Sequence, residues 1–116
     1  MAKGVMTCPT CRKAVTVWAT CEDGLNATVT VESDCPNMRN LQASLYGKTV
    51  DIDRDRRISG LQGFNYSINT VYSAAERGVK DASCLVVPFI IRVVEVAAGV
   101  ALPGEGSFRI TDENPD

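Results

Sequence analysis

Five cysteines and not one histidine narrow the chemistry open to this 116-residue chain to thiolates acting as metal ligands or as nucleophiles. Cys8 and Cys11 stand in TCPTCRK (7–13), with two residues between them and a proline to set the turn. That is the first half of a zinc knuckle, whose second CxxC ordinarily follows some distance on. Here Cys21, Cys35 and Cys84 stand singly instead. With no imidazole, a Cys-His nucleophile is excluded, and a general base would have to be Asp, Glu or Lys.

The elements that must position these thiols are legible from periodicity. AVTVWATC (14–21) alternates Val15 and Val17 with Thr16 and Trp18, and after EDGLN, ATVTVES (27–33) alternates Val29 and Val31. Two period-2 strands about an Asp-Gly turn predict a β-hairpin. Ser33 or Asp34 is placed to cap a helix opening at Cys35-Pro36, with Met38, Leu41 and Leu45 on its apolar face and Gly47 at its end. Between Lys48 and Gly63, Val50 and Ile52 suit a short strand, and RDRRISGLQG reads as an exposed loop. Asn65 is placed to cap a helix from about Tyr66 to Arg77, ended by Gly78. Asp81 or Ser83 opens a long apolar helix to about Leu102, with Pro88 in its first turn and Pro103-Gly104 as its stop. Ser107 to Thr111 suits a last strand, and residues 1–7 and 112–116 read as frayed ends. The expected fold is α+β: one domain over 1–116, folded from 8 to 111, with a small antiparallel sheet that starts with a β-hairpin and helices packed on one face.

On this map Cys11 precedes the first strand, and Cys35 and Cys84 fall in the first turns of two helices. A thiol at a helix N-terminus meets unpaired backbone N–H groups and the positive end of the dipole, which favour the thiolate that binds zinc, iron or an iron-sulfur cluster. The competing explanation is that cysteine is a small hydrophobe, buried for packing alone. Cys21, at the end of a strand, fits that explanation. The spacing of Cys8 and Cys11, and the helix-start positions of Cys35 and Cys84, favour ligation.

Composition excludes other classes. A hydrophobic fraction of 45% and a charged fraction of 22% fit an ordinary globular domain. Twelve Lys+Arg against fourteen Asp+Glu leave a net charge of -2, and Arg54, Arg56 and Arg57 are interleaved with Asp51, Asp53 and Asp55, so no nucleic-acid surface is expected. Leu85 to Leu102 has the length of a short membrane span but carries Pro88, Arg92 and Glu95, which points to a buried helix in the core or at a homo-oligomer contact. Arg92 and Glu95, three apart, suit a structural pair. The odd cysteine count and a start without an apolar run favour thiols in a reducing cytoplasm. DIDRDRRISGLQ (51–62) begins like a calcium loop but has Arg56 where the glycine belongs and Gln62 where the last carboxylate belongs. A strand follows the CxxC, which argues against a thioredoxin-like redox pair.

The layout of a cysteine before a hairpin with an Asp-Gly turn, a second opening the next helix and a third opening a late helix resembles the U-type iron-sulfur cluster assembly scaffolds. The separations, 24 residues from Cys11 to Cys35 and 49 from Cys35 to Cys84, are similar to that family's. The resemblance implies that Cys11, Cys35 and Cys84 converge at one end of the domain to hold a nascent cluster or a zinc ion. The chain departs from the scaffold pattern in two places: Arg12-Lys13 replaces Gly-Asp, and Ser83 replaces a histidine. Cys8, Asp34 or Asp81 would then complete the ligand set. A closer resemblance, carried by SDCPNMRNL (33–41), CLVVPFIIRVVEVAAGVALP (84–103) and the EDG turn, is to small uncharacterised prokaryotic proteins, several from methanogenic archaea. It implies no activity.

The sequence therefore predicts a cytoplasmic metal-binding protein. Cys11, Cys35 and Cys84 are its ligands and Cys8 an auxiliary one, for zinc or an iron-sulfur cluster passed to a client or assembly protein without substrate turnover. The alternatives are a structural or homo-oligomeric interaction module with core cysteines and, third, a cysteine-dependent enzyme.

Overall fold

Alternation builds the sheet. In a computed structural model that describes residues 1–9, 11–52, 69–81 and 83–113, strands β1 (Ala2–Thr7), β2 (Ala14–Thr20), β3 (Asn26–Ser33) and β4 (Val50–Asp51) form an antiparallel sheet in the order β1-β2-β3-β4. Every second residue of the two central strands is buried: Val15, Val17 and Ala19 on β2, and Ala27, Val29 and Val31 on β3. The intervening threonines, Trp18 and Glu32 take the other face. Lys3 crosses that face to lie over the Trp18 ring, 4.7 Å from its centre. Asp23 holds the β2–β3 turn by accepting the N–H groups of Leu25 and Asn26 at 2.9 Å each.

The expected β-hairpin is present, and a further strand pairs along it. Residues 1–7 were expected to fray, and instead Ala2–Thr7 pair along β2, from Ala2 opposite Ala19 to Thr7 opposite Ala14. The reason is tertiary. Gly4 has no side chain and lets a helix close on the strand: a Cβ there would lie 2.5 Å from Val93 Cγ2 and 2.6 Å from Phe89 Cζ.

Three helices among the described residues cover the buried face. Helix α1 (Pro36–Leu45) starts at Pro36, buries Met38, Leu41 and Leu45, and ends before Gly47 at φ 76°. Neither Ser33 nor Asp34 caps it. The N-cap is Cys35, whose own N–H is taken by Ser33 Oγ at 3.1 Å while that hydroxyl donates to Ala14 O at 2.8 Å. Because β4 reaches only Asn26 and Ala27, β3 has no ladder partner from β4 farther along, and there Val31 N–H donates to Gln42 Oε1 of α1 at 2.7 Å.

Helix α2 (Thr70–Gly78) is capped by Asn69, whose buried side chain accepts from Val71 N and Tyr72 N at 3.0 Å each. The expected cap, Asn65, lies outside the described residues, as do the loop with Arg54, Arg56 and Arg57 and most of the calcium-like segment. Gly78 meets Asn40 of α1 closely, and Asn40 Nδ2 donates to its carbonyl at 3.3 Å.

Helix α3 (Val86–Ala97) is shorter than the expected span to Leu102. Gly99 at φ 79° stops it: Gly99 N–H bonds Val96 O and Val100 N–H bonds Glu95 O, the two backbone bonds of a Schellman end. Its buried face, Val86, Val87, Ile90, Val93 and Val94, lies on β1 and β2, and Arg92 approaches Glu95 at 4.0 Å as an i,i+3 pair. No helix of the described residues is long and apolar enough to cross a membrane. The last strand expected over Ser107–Thr111 is absent: residues 101–113 have no regular structure, and Leu102 and Ile110 are more than four-fifths exposed.

Candidate functional site

Four of the five cysteines gather at one end of the sheet by topology. Cys8 and Cys11 occupy the loop joining the end of β1 to the start of β2. Cys35 follows the end of β3, where Ser33 stands opposite Val15, so it reaches the same end. Cys84 lies two residues before α3, which packs on β1 and β2. Cys21 follows the far end of β2, roughly 20 Å away at 3.3 Å per strand residue. None of the five forms a disulfide.

The loop between β1 and β2 is a closed turn. Cys8 N–H donates to Lys13 O at 3.0 Å, and Arg12 N–H donates to Cys8 O at 2.8 Å. Closing it puts Arg12 at φ 59°, the one left-handed residue other than glycine among those described. The turn also brings the Lys13 N–H to the Cys11 sulfur. Neither feature is legible in the sequence, since arginine is an unfavourable choice for that conformation.

The thiols are neighbours in pairs. The thiols of Cys8 and Cys35 lie close enough to Cys11 to shift its titration. Its thiol is lowered most by the Lys13 N–H, yet partial desolvation and the Cys8 and Cys35 thiols together raise it above the ordinary value of 9.0. Cys84 accepts the N–H groups of Val86 and Val87, the first of α3. Burial is the largest effect on it, and with the Cys8 and Asp81 charges it raises the thiol despite those two donors. The expectation that the helix start favours the Cys84 thiolate is thus corrected: the donors are in place, but burial and like charge outweigh them. Cys84 also precedes the N-cap, Leu85, rather than lying in the first turn. Cys8 and Cys35 are buried, and Cys11 and Cys84 are partly exposed.

The two carboxylates near the site face other partners. Asp34 pairs with Arg39 at 3.6 Å. Asp81 accepts from Ser83 Oγ at 2.8 Å and Ser83 N at 3.0 Å, which hold its carboxyl below the ordinary range. Among the described residues, no group of three or more Cys, Asp or Glu side chains is arranged to hold a metal ion. The thiols act on one another electrostatically, Cys8 and Cys35 on Cys11 and Cys8 on Cys84. A small, mainly apolar pocket between β4 and α3, with Asn69 and Glu95 in its lining beside Val50, Ile52, Val71, Ile91 and Val94, lies on the β4 side of the molecule.

No curated protein and no solved structure matches the chain. A family model does, over residues 2–110, a stretch that takes in β1, the cysteine turn, α1, α2 and α3. The chain accordingly belongs to the Family of unknown function (DUF6951).

Proposed function

We propose that this protein binds a thiophilic metal centre, zinc or an iron-sulfur cluster, through Cys11, Cys35 and Cys84 with Cys8 beside them, and passes it to a client protein. One observation carries the proposal: four cysteines separated by up to 76 residues in the chain are carried to one end of the sheet by the β1–β2 turn, the end of β3 and the approach to α3. Core filler needs no such convergence. The backbone N–H groups of Lys13 at Cys11, and of Val86 and Val87 at Cys84, act to lower those thiols, which suits thiolate ligands. The likeness to U-type scaffolds and to proteins of methanogenic archaea enters as sequence resemblance, and a cytoplasmic setting fits thiols without disulfides.

The test is metal analysis and an absorbance spectrum of protein purified without oxygen. Zinc or iron that is retained by the wild type and Cys21→Ala, and lost from Cys35→Ala, is the expected result. Absence of any thiolate-to-metal band after adding zinc, cobalt, or iron with sulfide sinks it.

A second reading, a homo-oligomeric interaction module, is favoured by the exposed apolar residues Leu102, Phe108 and Ile110 beyond α3. Sedimentation of the metal-free protein decides it: a monomer at all concentrations removes this reading.

A further inference from the structure

We propose that residues 107–111 of one copy of this chain pair as a strand along the open edge of β1 in a second copy, in a reciprocal exchange that joins the two. This deepens the homo-oligomer reading, rests on it and requires no metal.

The edge is exposed to pairing. The order β1-β2-β3-β4 makes β1 an outer strand, and among the described residues no strand lies along its far side. Alternate residues of Ala2–Thr7 therefore turn N–H and C=O groups outward, a template for another strand. Sheet edges are commonly guarded by proline, a bulge or an outward lysine. β1 has no proline, and its register against β2 runs unbroken from Ala2 to Thr7. Its one lysine, Lys3, is drawn across the sheet face onto the ring of Trp18.

The segment at residues 107–111 has the pattern that such an edge accepts. Ser107, Arg109 and Thr111 alternate with Phe108 and Ile110, yet these residues have no regular structure, and Phe108 and Ile110 are 56% and 82% exposed. Paired on β1, Phe108 and Ile110 take the helix-covered face beside Gly4 and Met6. There Phe89 of α3 lies over Gly4 and is only partly buried, and Leu85 is exposed. Ser107, Arg109 and Thr111 take the other face with Lys3, Val5 and Thr7. This is the division that β2 already shows, with valines inside and threonines outside.

Charge and reach fit a second copy. Lys3 stands near one end of the β1 edge, and Arg12 and Lys13 are exposed in the turn at the other. The tail strand is flanked by Glu105 on one side and by Asp112 and Glu113 on the other. Acids meet cations whichever way the strand runs, and the pairing is electrostatically complementary. The eight residues from Gly99 to Ser107 span up to about 26 Å extended, more than the roughly 20 Å length of a six-residue strand. Every copy carries both a tail and an edge, so two copies close with two identical junctions.

The experiment is sedimentation equilibrium of the full chain over a range of concentrations, reduced and with a chelator present. Expected is a monomer–dimer equilibrium whose dissociation constant rises at least about 10-fold in the double variant Phe108→Ser, Ile110→Ser, as for truncated interface anchors. It should also rise in Lys3→Glu, which sets a carboxylate against the acids of the tail, and stay unchanged in Tyr46→Ser, at an exposed position beyond α1. Mixing the tail variant with Lys3→Glu restores one sound junction, so the mixture should associate more tightly than either variant alone. Amide exchange in wild-type β1, slower at high concentration than at low, reads the same edge without any substitution. A monomer at every concentration overturns both the inference and the homo-oligomer reading. A dimer that the folded tail variant leaves unchanged overturns the inference and leaves that reading standing. Protection of β1 that depends on Phe108 and Ile110 but not on concentration places the tail on its own β1, and overturns exchange between copies.

Discussion

Arg12 shows how a single residue records the demand of the turn. A non-glycine residue at φ 59° costs roughly 1–2 kcal/mol, most for β-branched side chains. Arg12→Gly should therefore be neutral or stabilising, although glycine at an ordinary exposed site weakens a fold, and Arg12→Val should be less stable than Arg12→Gly by roughly 1–2 kcal/mol. Urea denaturation of the metal-free proteins measures the difference, and equal stability of the two variants would contradict the left-handed assignment. The thiols make a second prediction at this scale. Cys11 and Cys84 titrate above 9.0 in the fold and near that value when unfolded. The neutral thiols then contribute stability that is full below the unfolded value and is lost as pH rises through the folded one. The denaturation midpoint of the metal-free protein should fall as pH rises past the unfolded value of 9.0, and fall less in Cys84→Ser. A midpoint that moves identically in both proteins would remove Cys84 as a cause.

At the scale of elements, β1 and α3 depend on one another. Val93 and Phe89 of α3 occupy the space that a side chain at Gly4 would need. Gly4→Val should destabilise the protein by about 1–3 kcal/mol, as overpacking does. Gly104→Ala, with nothing within 4 Å of the added methyl, should stay within about 0.5 kcal/mol of the wild type. Thermal denaturation compares the two, and an equal effect would mean that β1 does not lie under α3. The same contact matters to the thiols, because β1 leads directly into Cys8 and α3 follows Cys84. A change that separates strand from helix separates two of the sulfurs.

For the whole molecule, the proposed ion ties the β1–β2 turn, the start of α1 and the approach to α3 together. Anything that binds the folded chain alone stabilises it by mass action. Zinc held free at about 100 times its dissociation constant should add about 2.7 kcal/mol to the wild type and to Cys21→Ala, and much less to Cys35→Ala. Denaturation with and without a chelator measures it, and equal gains in all three proteins would place zinc elsewhere. Cys21 is the internal control because β2 carries it to the opposite end of the sheet.

The local elements were legible in the sequence because their causes are local. Alternation on residues 14–20 and 26–33 fixes two strands and their buried face, Pro36 and Gly47 bracket α1, and Asp23 sets the turn. The sequence also placed Cys11 and Cys35 at element boundaries and set Cys21 apart. What it left open depends on contacts between segments distant in the chain. Residues 2–7 have weak strand character around Gly4, and become β1 because β2 pairs with them and α3 packs on them. Gly99 ends α3 through a backbone motif that a run of apolar residues conceals. The thiol chemistry divides in the same way. Residue types named the ligands that thiols can be, and only the tertiary fold decided which thiols act on one another, because the β1–β2 turn, the end of β3 and the approach to α3 come to the same end of the sheet. The opening motif lacked a second CxxC, and the fold supplies two single cysteines in its place.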